Sequence, residues 1–532
     1  METTRYDVVV LGGAFSGSAA ATLLRREAPQ LSILVVEKAP RFDAKVGEAT
    51  TEMSAMFLTR RLALWRHLEA EHLPKEGLRY WFVNERVHNH GEASETGGYL
   101  RSTIPSFQLR RDVLDEHLLA EAEREGATVW RPARAVEVEI GELDHRVTIE
   151  RGRERLDVRC RWLLDATGRA TFVGKRLGLV DRTDEHPTTS CWGRFRDVRH
   201  IDDLAAREYP ALAAGNIGSR RLGTNHYVGR GYWVWVIPLG NGETSIGVVY
   251  DRRLLDLDPQ GAHRGDPRGA FEAFLRAHPL LGELLAGATL REEDYRGYSR
   301  LAYLCRQYAG PGWALLGDAA AFLDPYYSPG LDHASFTIEA SVELVKAESR
   351  GEPIAERLAE HNATFRRSYL RFFEAIYRDK YFYMGEHDLL SAAFLIETAQ
   401  YYLFVVTPAY RLHKRFFWMP VLGPREAAFN YWLMKTANRR FKKIAEWRRR
   451  AGEAGRRNDG RRLTAYFAPD TAPLRMALRG VRLWVAAELD AVRLRLRLLA
   501  GGRDATDATD ATAPPDAVPE RPSVAAGSSS EG

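Results

Sequence analysis

Cysteine is scarce in this chain, which has only Cys160, Cys191 and Cys305 among its 532 residues. Three cysteines cannot build a disulfide framework, and their spacing is unlike that of a zinc-binding motif. The sequence also has no H-E-x-x-H motif and no Ser-His-Asp arrangement, so neither zinc nor serine hydrolase chemistry is indicated. We therefore predict no metal site and a reducing, cytoplasmic location.

Long apolar runs are missing as well. The apolar run near the N-terminus breaks at Gly12, and no other window reaches the roughly 18 uninterrupted apolar residues of a membrane-spanning helix. The first residues lack the charged start and cleavage site of a signal peptide. Hydrophobic residues nevertheless make up 45% of the chain, which excludes wholesale disorder. We expect a soluble protein or one attached peripherally to a membrane.

The N-terminal segment has the pattern of a β-α-β unit. Residues 6–11 and 31–37 are apolar runs typical of buried strands, and residues 18–26 between them have a helical pattern. A glycine-rich turn at 12–17 joins the first strand to the helix. The order strand, glycine-rich turn, helix and strand is typical of a nucleotide-binding domain.

This turn matches G-x-G-x-x-G at Gly12 and Gly17, with Gly13 beside it and Ala14 at the place of the second glycine. Such a turn lets a pyrophosphate approach the backbone at the N-terminus of a helix. Glu37 ends the second strand, where a carboxylate can accept hydrogen bonds from ribose hydroxyls. A solvated residue at a strand end is the alternative. We predict that these five residues form a dinucleotide site.

A second strand-turn-helix pattern occurs at residues 313–320, with Gly317 and Asp318 in its turn. It resembles the Gly-Asp signature of the flavoprotein monooxygenase superfamily, and two further motifs of that superfamily match at Arg111 and at residues 165–168. The resemblance implies that FAD is the cofactor. It also implies that Gly317 allows close approach of the chain, that Asp318 accepts hydrogen bonds from flavin hydroxyls, and that Arg111 lies near the cofactor.

Residues 232–238 read Tyr-Trp-Val-Trp-Val-Ile-Pro, so Trp233 and Trp235 would face the same side of a strand. The W-x-W-x-I-P segment resembles the signature of flavin-dependent halogenases of the tryptophan halogenase type. The resemblance implies that the two tryptophans are catalytic-site residues that separate the flavin from the substrate. It also implies a separate flavin reductase that supplies reduced FAD. A buried aromatic strand without such a role is the alternative.

Lys75 is the candidate catalytic residue. It lies downstream of residues 46–49, Val-Gly-Glu-Ala, which resemble the V-G-E motif of the halogenase family, and Glu48 of that motif is predicted to contact the cofactor. The resemblance implies that a lysine here holds or reacts with hypohalous acid and delivers electrophilic halogen. A solvated lysine is the alternative, as expected for its neighbours Glu71 and Glu76.

The segment Pro-Tyr-Tyr-Ser-Pro-Gly that starts at Pro325 departs from the family pattern P-x-x-S-(S/T)-G. In the family, backbone N–H groups here are implied to hold the halide, which makes Ser328, Pro329 and Gly330 the halide candidates. Pro325 and Gly330 are also predicted to contact the cofactor. Proline has no N–H, so one donor is lost, which weakens halide binding by roughly ten- to a hundredfold. Asp332 would add an unfavourable charge.

The expected fold is α/β, with a Rossmann-like FAD-binding domain interleaved with a mostly antiparallel substrate sheet and followed by a helical C-terminal domain. The predicted division assigns 1–180 with 300–345 to the FAD-binding domain, 181–299 with about 72–108 to the substrate domain, 346–499 to the helical domain and 500–532 to a disordered tail.

Basic residues are concentrated near the C-terminus. Residues 405–499 contain 22 Lys and Arg against 7 Asp and Glu, a net charge of +15, while the whole chain carries +5. Aromatic residues are interleaved with the bases, which predicts contact with an acidic carrier protein or a membrane surface. A solvated basic face is the alternative. Charge alone does not indicate nucleic acid as the partner.

Three functions are consistent with these patterns. The favoured one is a two-component FAD-dependent halogenase that uses reduced FAD, O2 and halide on a phenolic, pyrrolic or carrier-bound substrate. The second is an FAD-dependent hydroxylase or an isoprenoid-reductase-like oxidoreductase without halide chemistry, which Pro329 favours. The third is a non-catalytic flavoprotein that docks a carrier protein or membrane through residues 405–499.

Overall fold

The computed structural model describes residues 4–98, 103–214, 218–412 and 420–501. The strands in these ranges are, in chain order, β1 (Thr4–Leu11), β2 (Ile33–Val36), β3 (Leu73–Pro74), β4 (Leu78–Phe82), β5 (Ser94–Gly98), β6 (Phe107–Gln108), β7 (Thr128–Trp130), β8 (Arg134–Glu139), β9 (His145–Arg151), β10 (Glu154–Asp165), β11 (Val180–Arg182), β12 (Thr188–Arg196), β13 (Thr224–Gly229), β14 (Tyr232–Pro238), β15 (Thr244–Asp251), β16 (Thr289–Leu290), β17 (Arg296–Ser299), β18 (Tyr303–Cys305), β19 (Ala309–Gly310), β20 (Trp313–Leu315), β21 (Ala321–Phe322) and β22 (Arg462–Ala465).

The helices of the same ranges are α1 (Phe15–Glu27), α2 (Glu52–Met56), α3 (Trp65–Glu71), α4 (Arg111–Arg124), α5 (Phe172–Arg176), α6 (Ile201–Glu208), α7 (Pro210–Ala213), α8 (Pro267–Ala277), α9 (Pro279–Leu284), α10 (Gly330–Ser349), α11 (Ala355–Phe372), α12 (His387–Tyr401), α13 (Thr407–Leu412), α14 (Ala428–Arg450) and α15 (Ala472–Gly501). Short 3-10 or π turns occur at Phe57–Arg61, Gly168–Ala170, Gly317–Ala319, Phe373–Tyr377, Lys380–Phe382, Tyr402–Val406 and Arg425–Ala427.

The first sheet has the central order β19-β20-β10-β1-β2-β7, with β8 and β9 attached to β10 as a meander. β1 pairs in parallel with β10 and β2, and β10 pairs in parallel with β20. Val8, Val9 and Val10 in β1 are fully buried because helices α1 and α4 and the sheet enclose them. A continuous apolar run is what a parallel strand covered on both faces requires. The predicted β-α-β unit is therefore present.

The second sheet has the order β16-β12-β15-β14-β13-β4-β5-β22, with β17 beside β12. Its central pairs β12–β15, β14–β15 and β13–β14 are antiparallel, while β4 pairs in parallel with β13. The prediction of an α/β fold with a mostly antiparallel second sheet is confirmed. β4 and β5 also lie in this sheet.

The C-terminal part is helical but not continuously so. β22 lies between α14 and α15 and pairs in parallel with β5, at the edge of the second sheet. The prediction of uninterrupted helices over 346–499 therefore differs from the structure at this strand, because pairing with an edge some 370 residues earlier overrides the local pattern. α15 continues to Gly501, and the rest of the predicted tail, 502–532, lies outside the described residues.

One helical stretch of the described chain, His387–Arg411, is long and apolar enough to cross a membrane by composition. Its mean hydropathy is 1.6, and 72% of its apolar window is buried inside the protein. That burial is the behaviour of a core helix. The domain boundaries given above stay a prediction.

Candidate active site

A cavity of about 1430 Å³ is lined by residues of the first sheet, the second sheet and the C-terminal helices. Ligand pockets of proteins typically enclose roughly 300–1,000 Å³, so this cavity has room for a dinucleotide and a second molecule. Gly12 and Asp318 contribute from the first sheet, Trp233 and Trp235 from the second, and Glu397 and Tyr401 from α12.

The glycine-rich turn forms one end of the cavity. Gly12 has a φ of 97°, and a Cβ there would lie 2.5 Å from the carbonyl oxygen of Ala166. A Cβ on Gly17 would lie 1.8 Å from the carbonyl oxygen of Gly12, so both positions require glycine. Ala14 precedes α1 in an extended conformation and gives the helix no side-chain cap. The N–H of Phe15 donates to Asp115 Oδ1 at 3.1 Å, so the N–H groups that follow it in the first turn of α1 are the ones suited to a phosphate.

Glu37 holds this turn in place. Its Oε2 accepts a hydrogen bond from the N–H of Gly13 at 2.7 Å, and its Oε1 accepts one from the N–H of Ala39 at 2.7 Å. The carboxylate is almost fully buried and lines the cavity. The alternative of a solvated strand end does not hold, and the carboxylate of Glu37 keeps acceptor capacity beyond these two hydrogen bonds.

Gly317 and Asp318 follow β20 in a 3-10 turn. Gly317 has a φ of 55°, and a Cβ there would approach Ser16 Oγ to 3.0 Å. Burial raises the pKa of the Asp318 carboxyl, against the opposing charge of Arg169. Among the described residues no donor bonds to this carboxylate, which faces the cavity. A half-buried acceptor without a donor fits a ligand that brings hydroxyl groups, as the ribityl chain of FAD does.

Arg111 begins α4 and is buried beside the turn at Val46 and Gly47. Its Nη1 donates to the carbonyl oxygen of Val46 at 3.2 Å, and its Nη2 donates to Asp115 Oδ1 at 3.1 Å. A Cβ on Gly47 would lie 2.4 Å from this guanidinium. The buried Nε has no partner in the described part of the chain. Asp115 already pairs with this guanidinium, and an anionic cofactor group in the cavity would be a further partner for its positive charge.

Glu48 has a different environment from the one expected of a free cofactor ligand. Its carboxylate accepts hydrogen bonds from Arg194 Nη2 at 2.8 Å and Nε at 3.1 Å, and Arg194 also bonds to Asp294 at 2.9 Å. Burial raises the pKa of Glu48, and the guanidinium of Arg194 opposes that rise. Glu48 lines the cavity, but its carboxylate is used to join the loop to β12.

Lys75 lies inside the cavity wall and is only 5% exposed. Its Nζ donates to the carbonyl oxygen of Thr50 at 2.7 Å. Burial lowers the pKa of Lys75 to about 8, while the nearby carboxylates of Glu52 and Asp332 act in the opposite direction. The alternative of a solvated lysine does not hold. A lysine with a pKa near neutrality can exchange protons or hydrogen bonds with a reactant.

Trp233 and Trp235 lie on the same face of β14, as alternation along a strand requires, and both line the cavity. Their rings are 5.8 Å apart. Trp233 Nε1 donates to Tyr381 OH at 3.0 Å, and Trp235 Nε1 donates to Ser245 Oγ at 3.1 Å. Because both indoles are bonded and buried, they form a fixed apolar wall.

His226 packs beside this wall and is close enough to Lys75 for the two charges to interact. Its ring lies 5.5 Å from that of Trp233, and burial lowers its pKa to about 3, with the charge of Lys75 acting in the same direction. His226 Nδ1 is 3.1 Å from the carbonyl oxygen of Arg79, so the neutral ring donates there. Sequence reasoning missed His226, because nothing around it resembles a motif.

The candidate halide segment forms a strained turn before α10. Tyr327 and Ser328 have φ values of 73° and 57°, in the left-handed region that non-glycine residues rarely adopt. The N–H of Ser328 donates to the carbonyl oxygen of Pro325 at 2.9 Å, and Pro329 has no N–H. Gly330 starts α10, so its N–H lies in the first helical turn. The part of this segment that can bind an anion is therefore mainly the N-terminus of α10.

Asp332 was expected to oppose an anion here, and its surroundings reduce that effect. Its carboxylate accepts hydrogen bonds from the N–H of Ser54 at 2.9 Å, from Tyr401 OH at 2.9 Å and from Thr51 Oγ1. Burial raises its pKa to about 6. The charge is therefore compensated by three donors and is partly lost below neutral pH.

Tyr327 also reaches a buried ion pair that sequence reasoning missed. Its OH donates to Glu397 Oε2 at 2.8 Å, and Lys380 Nζ donates to both oxygens of Glu397 at 2.7 Å. Asn438 of α14 is the third donor, at 2.6 Å, so the carboxylate accepts four hydrogen bonds. Glu397 within the apolar run of α12 was the available signal, since buried charges are rare unless paired.

Comparisons with known proteins agree with this geometry. A family model described as an FAD binding domain matches residues 5–240. The flavin-dependent halogenase chlA of Dictyostelium discoideum is 27% identical over 76% of this chain and 70% of its own length. The sulochrin halogenase gedL of Aspergillus terreus is 25% identical over 69% and 67%, respectively.

Solved structures show the same fold. Halogenase PltM in complex with phloroglucinol and FAD has a TM-score of 0.67 at 18% identity, covering 91% of this chain and 96% of that one. CmlS, a flavin-dependent halogenase, has a TM-score of 0.58 at 19% identity, covering 92% and 78%. The predictions of resemblance to flavin-dependent halogenases, of FAD as the cofactor and of an FAD-dependent oxidoreductase of the halogenase and monooxygenase kind are confirmed.

Proposed function

We propose that this FAD-dependent oxidoreductase halogenates an electron-rich aromatic substrate, phenolic, pyrrolic or carrier-bound. The observation that carries the proposal is Lys75, a buried lysine of lowered pKa in one cavity with the tryptophan wall and the glycine-rich turns. Bound and reduced FAD supplies, with O2, the oxidising equivalents that convert halide into hypohalous acid.

The cofactor would be held by the glycine-rich turns and the polar groups that line them. Gly12, Gly13, Ala14 and Gly17 would admit its pyrophosphate at the N-terminus of α1. A second group would act on its ribose, ribityl and anionic portions, and this group consists of Glu37, Arg111, Gly317, Asp318, Pro325 and Gly330, with Glu48 contributing the loop that its carboxylate joins to β12. The carboxylate of Asp318, which has no donor in the described part of the chain, and the cavity-lining guanidinium of Arg111 support this assignment.

Lys75 would act on the oxidant. Below its pKa of about 8 the amine is mostly an ammonium, which can donate a hydrogen bond to the oxygen of hypohalous acid and polarise the oxygen–halogen bond. The halogen is then transferred as an electrophile to the ring carbon of the substrate while the oxygen leaves as hydroxide, and the released ring proton converts that hydroxide into water. The hydrogen bond to Thr50 keeps Nζ in position.

Trp233 and Trp235 would separate the cofactor from the substrate, so that only a small oxidant passes to Lys75. The N-terminus of α10, with Ser328, Pro329 and Gly330, would bind the halide with one donor fewer than the family pattern. We therefore propose a low halide affinity for this enzyme.

A halide-dependence assay tests the proposal. Purified chain, FAD, a flavin reductase, NADH and bromide or chloride are combined with an electron-rich phenol, and the product is examined by mass spectrometry for the halogen isotope pattern. A halogenated product that is lost in Lys75→Ala supports the proposal. The exposed Lys175→Ala is the matched control and should keep full activity, and FAD absorbance of each variant should confirm folding.

A second candidate function is favoured by Pro329. A hydroxylase or isoprenoid-reductase-like enzyme would need no halide site, and the missing N–H at Pro329 suits that function. An oxygenated or reduced product that forms equally well without halide would establish it. Bound FAD with neither product would favour a non-catalytic flavoprotein.

The proposal includes the partners. Similarity to flavin-dependent halogenases supports a small-molecule substrate and a separate flavin reductase. The net charge of residues 405–499 supports contact with an anionic partner at the C-terminal helices, and the scarcity of cysteine supports a cytoplasmic location.

A further inference from the structure

Helix α15 is apolar on two opposite sides. Its inner side carries Gly480, Ala487, Ala491 and Leu494, which are buried against the rest of the protein. Its outer side carries seven large apolar side chains that are 38–62% exposed, and we call these the outer stripe: Leu474, Leu478, Val481, Val485, Leu489, Val492 and Leu496.

The spacing of the outer stripe is three or four residues throughout, so its members share one helix face. From Leu474 to Leu496 it extends about 33 Å at 1.5 Å per residue. These seven side chains are nearly half of the large apolar side chains that are exposed in the described chain. Scattered exposed apolar residues need no explanation, whereas a continuous row of this length indicates a surface that meets something apolar.

Arginine borders the outer stripe. α15 contains six arginines, of which Arg475, Arg482 and Arg493 are exposed beside the stripe. Its two acids are neutralised, because Glu488 accepts from Arg440 Nε at 2.8 Å and Asp490 accepts from Arg456 Nη2 at 3.1 Å. The border of the stripe is therefore strongly positive.

We propose that the outer stripe of α15 lies on an anionic membrane surface. A second copy of the chain would bring two arginine borders together without acids to compensate them, which charge repulsion opposes. An interfacial membrane helix instead combines an apolar face with arginines that reach lipid phosphates. Anionic lipid also matches the +15 charge of residues 405–499.

The neighbouring helix α14 adds a second apolar contact. Phe429 and Trp432, at its N-terminal end, are 64% and 57% exposed, and their rings lie 6.0 Å apart. α14 packs on α15 through the rings of Phe441 and Trp484. Exposed Trp and Phe on a basic helix are typical of the membrane interface. This inference does not depend on halogenation.

The test uses the full chain with bound FAD and vesicles of phosphatidylcholine, with or without phosphatidylglycerol, separated by flotation. We expect the chain to bind the vesicles that contain phosphatidylglycerol, and added salt to weaken this binding. Leu478→Ser/Val485→Ser/Leu489→Ser and Arg475→Glu/Arg482→Glu/Arg493→Glu should each reduce binding by at least about tenfold. Leu143→Ser/Leu370→Ser, which changes exposed leucines elsewhere, should bind normally.

Several outcomes would overturn the proposal. One is absence of binding to both vesicle types. Another is a concentration-dependent dimer that the serine variant makes monomeric, without vesicle binding, which would identify a second copy as the occupant. Capture of an acidic acyl carrier protein in place of vesicles would identify a protein partner. If thermal melting shows that the triple serine variant is unstable, the triple Arg→Glu variant and the salt dependence of vesicle binding test the proposal instead.

Discussion

Lys75 is deeply buried and also lines the cavity, a combination that is rare for a lysine. Because burial lowers its pKa to about 8, its charge is lost within an accessible pH range. If the ammonium is the acting form, the halogenation rate should fall as the pH rises through about 8. Lys75→Arg, which stays charged, should not show this fall in whatever activity it keeps.

The measurement is a pH–rate profile at saturating reduced FAD and halide, with product quantified by mass spectrometry. FAD binding at each pH serves as the control, since a loss of cofactor would also lower the rate. A wild-type rate that stays level from pH 7 to beyond pH 9 would show that the charge on Lys75 is not required.

Gly17 provides a test of the cofactor site at a single atom. Gly17→Ala would place a Cβ 1.8 Å from the carbonyl oxygen of Gly12, a backbone atom that cannot move independently. We expect FAD affinity to fall by more than about tenfold, because the turn that admits the pyrophosphate must shift. Gly297→Ala in β17, which is outside the cavity lining and whose Cβ would meet only contacts of 3.6 Å or more, should leave FAD affinity unchanged. Titration followed by flavin fluorescence compares the two, and equal affinities would contradict the assignment.

Single residues show where sequence reasoning succeeds. Gly12, Gly17 and Gly317 lie where a Cβ would closely approach other atoms of the chain, which is a property of the local backbone, and their contact with the cofactor stays a prediction. The partner of Glu48 could not be predicted, since Arg194 lies 146 positions further along the chain. The burial of Lys75 was equally hidden, because the nearby Glu71 and Glu76 indicated a solvated segment.

At the scale of elements, the start of α10 determines how the halide would be bound. Pro329 has a φ of −75°, which serine adopts without strain, so Pro329→Ser should restore an N–H with little change of backbone. A hydrogen bond to a charged group contributes about 1.5–3 kcal/mol, and we therefore expect the KM for halide to fall by roughly tenfold or more.

Steady-state kinetics over a range of bromide concentrations measures this change. Pro311→Ser, in the turn before β20, is the matched control and should leave the KM unchanged. An unaltered KM in Pro329→Ser would place the halide away from the N-terminus of α10.

A series of side-chain hydrogen bonds holds strand β14 through Trp233. Trp233 donates to Tyr381, Tyr381 OH donates to Asp324 at 2.7 Å, and His186 Nε2 lies 2.8 Å from the same carboxylate. The aromatic strand β14 was predicted from the sequence. This series of hydrogen bonds could not be predicted, because its members come from β14, a C-terminal turn and two loops that are far apart in sequence. Strand β22 was not predicted for the same reason, since its partner β5 is also distant in sequence.

At the scale of the whole molecule, the cavity exists only because three regions meet. The glycine-rich turns come from the first sheet, the tryptophan wall from the second, and Glu397 from α12. Motifs identified the first two regions, since the resemblance extends over roughly residues 5–340. In the sequence, the C-terminal region showed only a helical pattern and positive charge. Its contribution to the cavity therefore had no sequence signal apart from Glu397 in an apolar run.

The buried pair Lys380–Glu397 connects these regions, because Glu397 also binds Tyr327 of the halide segment and Asn438 of α14. Burial lowers the pKa of Lys380, and the carboxylate of Glu397 opposes that change. Glu397→Gln leaves the ammonium uncompensated and should lower the free energy of unfolding by about 3–5 kcal/mol. The double variant Lys380→Met/Glu397→Gln removes that charge and should recover part of the loss.

Urea denaturation of the single and double variants, followed by flavin and tryptophan fluorescence, measures the coupling between the two residues. Lys435→Met/Glu374→Gln removes a half-exposed pair between α14 and the turn at Phe373–Tyr377 and should cost less than about 1 kcal/mol. Additive losses in the Lys380–Glu397 cycle would show that the pair acts as two independent side chains. A coupled loss, accompanied by a raised KM for halide, would show that the C-terminal helices support the halide segment through Glu397 and Tyr327.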